Sequence, residues 1–463
     1  MQYDLIVIGA GPGGYVAAIR AAQLGLKTAV VERSEVGGTC LNRGCIPTKT
    51  LMHSANLYRE LDSAGKMGIN VTGASADFKA MHTRKAQVVE QLRGGVAQLL
   101  KGNGIDVIEG EAAFTSAQAI CVNGETYTAR DFIIATGSKP FVPPIPGADL
   151  PGVVTSDEML DTDSCDFCEL VIIGGGVIGV EMASVYNGIG RKVTIIEALD
   201  RVLANMDREI SQNLSMILKK RGVAVNTAST VTGITAEGGK LTCTFERKGQ
   251  TESVTADGVL ICVGRRAVTE GLNTEAAGIE LDRGRVNVDG NYQTNVPHIY
   301  AIGDVTGGIQ LAHAAEAQGI ACVEHICGVT RTVDPNLVPA CVYTSPEIAT
   351  VGITADEAKQ QGKAVITGKY IMSGNGKSII ENEERGFIKL VFDAETEKLI
   401  GAQLMCGRAT DMIGELVTAI SAGLTKAQMA MALHPHPTFC EGITEAVHAA
   451  DGYSIHTMPP RKR

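Results

Sequence analysis

A chain of 463 residues with 44% hydrophobic and 20% charged content has room for about three packed domains at the usual size of roughly 100–200 residues each. Its 41 Lys and Arg against 51 Asp and Glu leave a net charge of −10, which argues against nucleic-acid binding. Any bound phosphate must be held by local backbone geometry rather than by a basic field. No uncharged apolar run reaches the roughly 20 residues of a membrane helix, and the 12 cysteines are scattered over the chain, unlike a small secreted disulfide scaffold. The chain enters an apolar strand at once, without a basic and apolar leader, so a cytoplasmic location is expected. A mature organellar form would read the same.

Residues 4–8 form a continuous apolar strand that runs into Gly9, Gly11 and Gly14. A helix over 15–24 follows, then a strand over 28–31 that ends on Glu32. In this pattern the first glycine makes the tight turn and the second lets backbone approach a pyrophosphate. The third allows close helix–strand packing, and the acid accepts from ribose hydroxyls. Strand, glycines, helix, strand and acid in that order point to a dinucleotide.

Next comes Gly-Gly-Thr-Cys-Leu-Asn-Arg-Gly-Cys-Ile-Pro-Thr-Lys, residues 37–49. Cys40 and Cys45 stand in what reads as a Gly-rich turn before a helix, whose first turn suits Pro47. Unpaired N–H groups at a helix start stabilise a thiolate and lower its pKa. Cysteine is often only a small buried residue. With a nucleotide motif just upstream, a pair cycling between disulfide and dithiol is the reading.

The nucleotide unit recurs. An apolar strand over 170–173 precedes Gly174, Gly176 and Gly179, then a helix through Glu181 and Tyr186, and a strand over 192–196 that ends on Glu197. The first glycine and the acid stand the same distance apart in both copies. Each copy continues into a hairpin-like stretch and an apolar strand running to a glycine, Gly137 in one and Gly264 in the other. The fold class is therefore α/β, with two Rossmann-like dinucleotide-binding domains. Glu197 favours NAD at the second, because a carboxylate there bonds a free 2′-hydroxyl and repels a 2′-phosphate. From about residue 336 three strand-like runs and an amphipathic helix read as a C-terminal α+β domain. It ends with His434-Pro-His-Pro-Thr-Phe-Cys-Glu441. Thiol–disulfide exchange needs a base to take and return protons, which histidine does near neutral pH. A carboxylate on its other nitrogen would fix the tautomer.

The two glycine units, the Cys-Leu-Asn-Arg-Gly-Cys segment, Tyr-Ala-Ile-Gly-Asp-Val (300–305) and His-Pro-His-Pro-Thr-Phe-Cys-Glu, in this order, resemble the pyridine nucleotide–disulfide oxidoreductases of class I, in particular their dihydrolipoamide dehydrogenase branch. The resemblance covers essentially the whole chain. It implies FAD, bound tightly and non-covalently, at Gly9, Gly11, Gly14 and Glu32, with Gly137 beside it, Asp304 on the ribityl chain and the backbone around Ala312 at the ring. It implies NAD at Gly174, Gly176, Gly179, Glu197 and Gly264. Cys40 would be the interchange thiol and Cys45 the sulfur next to the flavin. Lys49 would lie near the flavin, paired with Glu181, since an ammonium buried without a partner is too costly to keep. His436 would be the base and Glu441 its orienter, with a structural role for His434. No metal is expected.

The domains expected on this basis are 1–143 (FAD, first part), 144–262 (NAD), 263–335 (FAD, second part) and 336–463 (dimerisation). The implied function is reoxidation of protein-bound dihydrolipoyl groups with reduction of NAD, by a homodimer whose partner is a lipoyl-bearing protein of a 2-oxo-acid dehydrogenase, acetoin or glycine cleavage complex. No lipoyl segment precedes Met1, so the lipoyl arm is expected on another chain. A glutathione-type reductase is the alternative of the same fold, though such enzymes favour NADP. A non-catalytic flavoprotein scaffold is the alternative of another class, and intact Cys40, Cys45, His436 and Glu441 argue against it. The family has serine where this chain has Cys440, and Cys165 and Cys168 form a C-x-x-C in a connector. Neither is needed by the implied chemistry.

Overall fold

The computed structural model describes residues 2–383 and 385–458. The chain divides into two compact units. One contains the residues up to Gly174 together with Val231–Glu246 and Thr251–Asn336; the other contains Gly175–Thr230, Arg247–Gln250 and the residues from Leu337 onward.

The first unit is built on a seven-stranded sheet. Tyr3–Ile8 lies between Thr28–Glu32 and Glu125–Ile134, parallel to both. Ile299–Ala301 runs parallel on the far side of Glu125–Ile134. Tyr3–Ile8, Thr28–Glu32, Ile299–Ala301 and the C-terminal end of Glu125–Ile134 are almost wholly buried, as expected for parallel strands covered on both faces, and this explains their apolar runs. The second hairpin-like stretch is likewise real, with strands Lys240–Arg247 and Gln250–Ala256. Helices Pro12–Gln23 and Ala312–Ile326 cross closely. A Cβ on Gly319 would stand 2.7 Å from the Gly13 carbonyl oxygen, and one on Gly13 would stand 2.9 Å from that of Ala315.

The crossing is pinned by Glu324, which is fully buried. It accepts from Arg20 Nη2 at 2.7 Å, from Thr332 N at 2.8 Å and from Thr332 Oγ1 at 2.7 Å. Removing one partner of a buried ion pair leaves an uncompensated charge. The two threonine bonds soften that cost, so Arg20→Met is expected to lower the unfolding free energy by about 2 kcal/mol. Urea unfolding would measure it, and a loss within error of zero would show that Thr332 alone satisfies the carboxylate.

In the second unit, Lys192–Ile196 and Ala224–Asn226 pair in parallel beside helix Val177–Gly188. A five-stranded antiparallel sheet carries the C-terminal α+β part. It includes Val365–Ile371, Phe387–Asp393 and Leu399–Cys406, with helices Ala409–Ser421 and Glu441–Ala449 sharing its apolar core. No helix among the described residues is long and apolar enough to cross a membrane.

Candidate active site

The two glycine turns are alike at their first glycine. Gly9 has φ +104° and Gly174 φ +115°, and a Cβ on either would stand 2.4 Å or 2.6 Å from the carbonyl oxygen of Ala135 or Cys262. Gly11 caps helix Pro12–Gln23 and Gly176 caps Val177–Gly188, neither with a side chain on the first N–H groups. A Cβ on Gly176 would meet only open space. Bare helix N-termini beside glycine are where a pyrophosphate binds, so both turns fit a dinucleotide. Gly179 is buried in its helix, as close packing requires.

Each terminal acid ties its turn together. Glu32 accepts from Ala10 N at 2.8 Å and Ser34 N at 3.0 Å. Glu197 accepts from Gly175 N and, at 2.7 Å, from Leu199 N. A carboxylate has about four acceptor positions, so both keep capacity for a ribose. Arg201, close enough in sequence to attract a 2′-phosphate, instead pairs with Asp200 at 3.0 Å and donates to Ala204 O at 2.7 Å.

The cysteine segment differs from the expected turn. Cys40 lies in a short helix, Gly38–Arg43, and Cys45 opens the helix Cys45–Glu60 after a break at Gly44. Asn42 Nδ2 closes the short helix by donating to Val36 O at 3.1 Å and Gly38 O at 3.0 Å. Glycine-rich sequence reads as turn, but this side-chain clamp supplies what propensity lacks. The segment is docked on the first glycine turn. Gly37 N donates to Ala10 O at 2.8 Å, and a Cβ on Gly38 would fall 2.6 Å from Gly11 Cα.

The two thiols are hydrogen-bonded to each other. This bond first, and burial second, push the Cys40 thiol well up, and Glu316 adds to the effect. The lowering expected from a helix start therefore does not hold for Cys40 in the dithiol, because a partner sulfur and desolvation outweigh it. Cys45, at the first position of the longer helix, keeps the favourable place for a thiolate.

Asp304 follows strand Ile299–Ala301 in the one-turn helix Gly303–Thr306. It accepts from Ser138 Oγ at 2.5 Å, and Ser138 directly follows Gly137. Burial pushes its carboxyl up, while Ser138 and Arg265 pull it back. Ala312 is the first residue of helix Ala312–Ile326, capped by Leu311 without a side-chain bond. Gly264, at φ +137°, leads into strand Arg265–Ala267. Ser138 and Arg265 escaped the sequence reading. The only local signal was the polar residue after Gly137.

Lys49 lies on Cys45–Glu60 in the first unit. Glu181, 2% exposed, is in the second unit and accepts there from Tyr343 N at 3.0 Å.

In the C-terminal part His436 Nδ1 meets Glu441 Oε1 at 2.8 Å, and Glu441 Oε2 accepts from Thr438 N at 2.9 Å. Burial pushes the Glu441 carboxyl up, but the Thr438 N–H and His436 prevail and hold it below its ordinary value. The His436 side chain is 77% exposed. His434 is different in kind: at 10% exposure, its ring nitrogens are taken by Thr444 at 2.7 Å and Glu415 at 2.9 Å. Cys440 is half-buried, and burial raises its thiol pKa. Among the described residues no group of three or more His, Cys, Asp or Glu could hold a metal ion.

A family model for pyridine nucleotide-disulphide oxidoreductases matches residues 3–319, and one for that family's dimerisation domain matches 338–447. The chain belongs to the pyridine nucleotide-disulphide oxidoreductases. Among its relatives, a dihydrolipoyl dehydrogenase of Bacillus subtilis (strain 168) is 42% identical over 98% of this chain and 99% of its own length. One of Geobacillus stearothermophilus is 41% identical over 99% and 98%. Among solved structures, the HOCl-induced flavoprotein disulfide reductase RclA from Escherichia coli aligns with a TM-score of 0.86 at 31% identity, covering 96% of this chain and 99% of its own. Both halves of this oxidoreductase, the dinucleotide-binding region and the dimerisation domain, are thus accounted for by one family.

Proposed function

We propose that this oxidoreductase is a dihydrolipoyl dehydrogenase: it reoxidises protein-bound dihydrolipoyl groups through the Cys40–Cys45 disulfide and delivers the electrons to NAD. The observation that carries this is the docking of the cysteine segment onto the first glycine turn, through Gly37 N to Ala10 O and the Gly38–Gly11 contact. That packing ties the sulfur pair to a dinucleotide site within one unit. Full-length similarity to dihydrolipoyl dehydrogenases supports the choice of substrate.

FAD held at Gly9, Gly11, Gly14, Glu32, Gly137, Asp304 and Ala312 would supply the two-electron relay between the dithiol and NAD. A substrate thiolate attacks Cys40 Sγ and displaces Cys45 as a thiolate. The second substrate thiol then releases Cys40, leaving a lipoyl disulfide and a reduced cysteine pair. His436 takes the proton from the substrate dithiol. Glu441 holds its Nδ1 so that Nε2 is the basic atom. The helix start at Cys45 stabilises the departing thiolate. Two electrons then leave the pair and NAD becomes NADH, regenerating the disulfide with release of one proton.

Glu197 and the engagement of Arg201 with Asp200 and Ala204 support NAD over NADP. Lys49 and Glu181 are proposed as further catalytic residues of the oxidoreductase. The dimerisation-domain match supports a homodimer, with a lipoyl-bearing protein as its partner. Dimerisation would complete the site by bringing His436 of one subunit to the cysteine pair of the other. The domains proposed on the same basis are 1–143 and 263–335 for FAD, 144–262 for NAD and 336–463 for dimerisation.

The test compares lipoamide, oxidised glutathione and mercuric ion as oxidants, each with NADH and NADPH. Lipoamide with NADH is expected to lead every other pair by roughly a hundredfold or more in kcat/KM, the range that a built hydrogen-bonding site achieves. A lead for glutathione with NADPH would reassign the enzyme to the glutathione-type reductases.

A further inference from the structure

Ser138 has one hydroxyl hydrogen, and it goes to Asp304 Oδ2. The hydroxyl oxygen accepts in turn from Arg265 Nε at 2.8 Å, while Arg265 Nη2 donates to the Ser138 carbonyl oxygen at 2.8 Å. A free serine hydroxyl rotates to suit its surroundings. Here the guanidinium occupies the oxygen and leaves the hydrogen only the carboxylate to face. The third guanidinium nitrogen, Nη1, reaches Asp157 Oδ1 at 3.4 Å, and the side chain is 14% exposed.

The backbone around this relay does not need the guanidinium. Arg265–Ala267 pairs antiparallel with Ser138–Pro140, in register Arg265↔Pro140 and Ala267↔Ser138. Phe141 N to Gly264 O and Val268 N to Gly137 O, each at 3.0 Å, close the ribbon at both ends. What Arg265 adds is charge and orientation.

We propose that Arg265 is a positioning residue of the flavin site, acting through Ser138 to keep the Asp304 carboxylate ionised and aimed to accept a ribityl hydroxyl. This rests on the reading of Asp304 given under Proposed function. Other groups near the Asp304 turn do not duplicate the role. Arg285 donates to Gly307 O at 3.4 Å, and Gln318 accepts from Gly303 N at 2.7 Å. His313 and Glu316 lie in the first two turns of the helix Ala312–Ile326, which packs on the same turn. Burial raises the Asp304 pKa and the relay opposes it. Without the cation the carboxyl protonates at a higher pH, and a protonated carboxyl is a poorer acceptor for a polyol.

The experiment measures FAD released from the diluted holoenzyme, by flavin fluorescence, between about pH 5 and 8. Arg265→Gln is expected to weaken retention about tenfold at neutral pH, with the gap widening as pH falls. Ser138→Ala is expected to follow it, and Arg265→Lys to recover part of the loss. Wild-type retention by both Arg265→Gln and Ser138→Ala would overturn the proposal. So would a loss that is the same at every pH and unrelieved by lysine, which is what a packing defect produces. Asp304→Asn separates the two levels: if it retains FAD as wild type does, the reading of Asp304 fails. If it releases FAD while Arg265→Gln does not, only the relay fails.

Discussion

Turnover of dihydrolipoamide by the Cys45→Ser variant is expected to fall by at least about four orders of magnitude, because a serine oxygen forms no disulfide and the electrons have no covalent route off the substrate. Cys40→Ser is expected to fall as far, so rate alone does not tell the sulfurs apart. Their surroundings do. Cys45 is the first residue of a sixteen-residue helix, where backbone N–H groups favour a thiolate. The Cys40 thiol is pushed up by its bond to Cys45 and by burial. Thus Cys40→Ser should keep the long-wavelength thiolate-to-flavin absorbance on reduction and Cys45→Ser should lack it. A Cys45→Ser enzyme that kept the band would exchange the roles of the two residues.

The second large effect is expected at His436. His436→Gln should lower kcat with dihydrolipoamide by about 10²- to 10⁴-fold, the usual contribution of a positioned general base. Glu441→Gln should cost less, since the base stays and only its orientation is lost. The sign of the pH dependence follows from Glu441. Its carboxyl is held below the ordinary value by the Thr438 N–H and His436. The stabilisation is therefore complete above the unfolded carboxylate pKa and is lost only as pH falls through the lowered folded one. The His436–Glu441 bond should survive weakly acidic conditions in the wild type and be weakened at every pH in Glu441→Gln. Stopped-flow reduction by dihydrolipoamide across pH would read both. Unchanged reductive rates in His436→Gln would remove it from the proton transfer.

Much of this was legible in the sequence because its causes are local. The parallel strands announce themselves as apolar runs, and the close backbone approaches at Gly9 and Gly174 each demand a glycine. Glu32 and Glu197 stand at the same distance from those glycines because each closes the same short loop. His436 and Glu441 are near neighbours on one turn. The misreading at Cys40 had a local cause as well. Three glycines in 37–44 read as turn, and the Asn42 clamp that makes a helix of the segment carries no propensity signal.

What the sequence by itself determined was the repeated glycine turn, the neighbouring cysteines and the histidine with its carboxylate, since each is a set of residues whose spacing the backbone converts directly into geometry. Only the tertiary structure decided that the cysteine segment sits on the first glycine turn, that burial and Glu316 add to the rise of the Cys40 thiol, and that Asp304 accepts from Ser138, whose oxygen Arg265 occupies. Those are contacts between distant parts of the chain. Ser138 and Asp304 are 166 residues apart, and burial and charge act through space without regard to that separation.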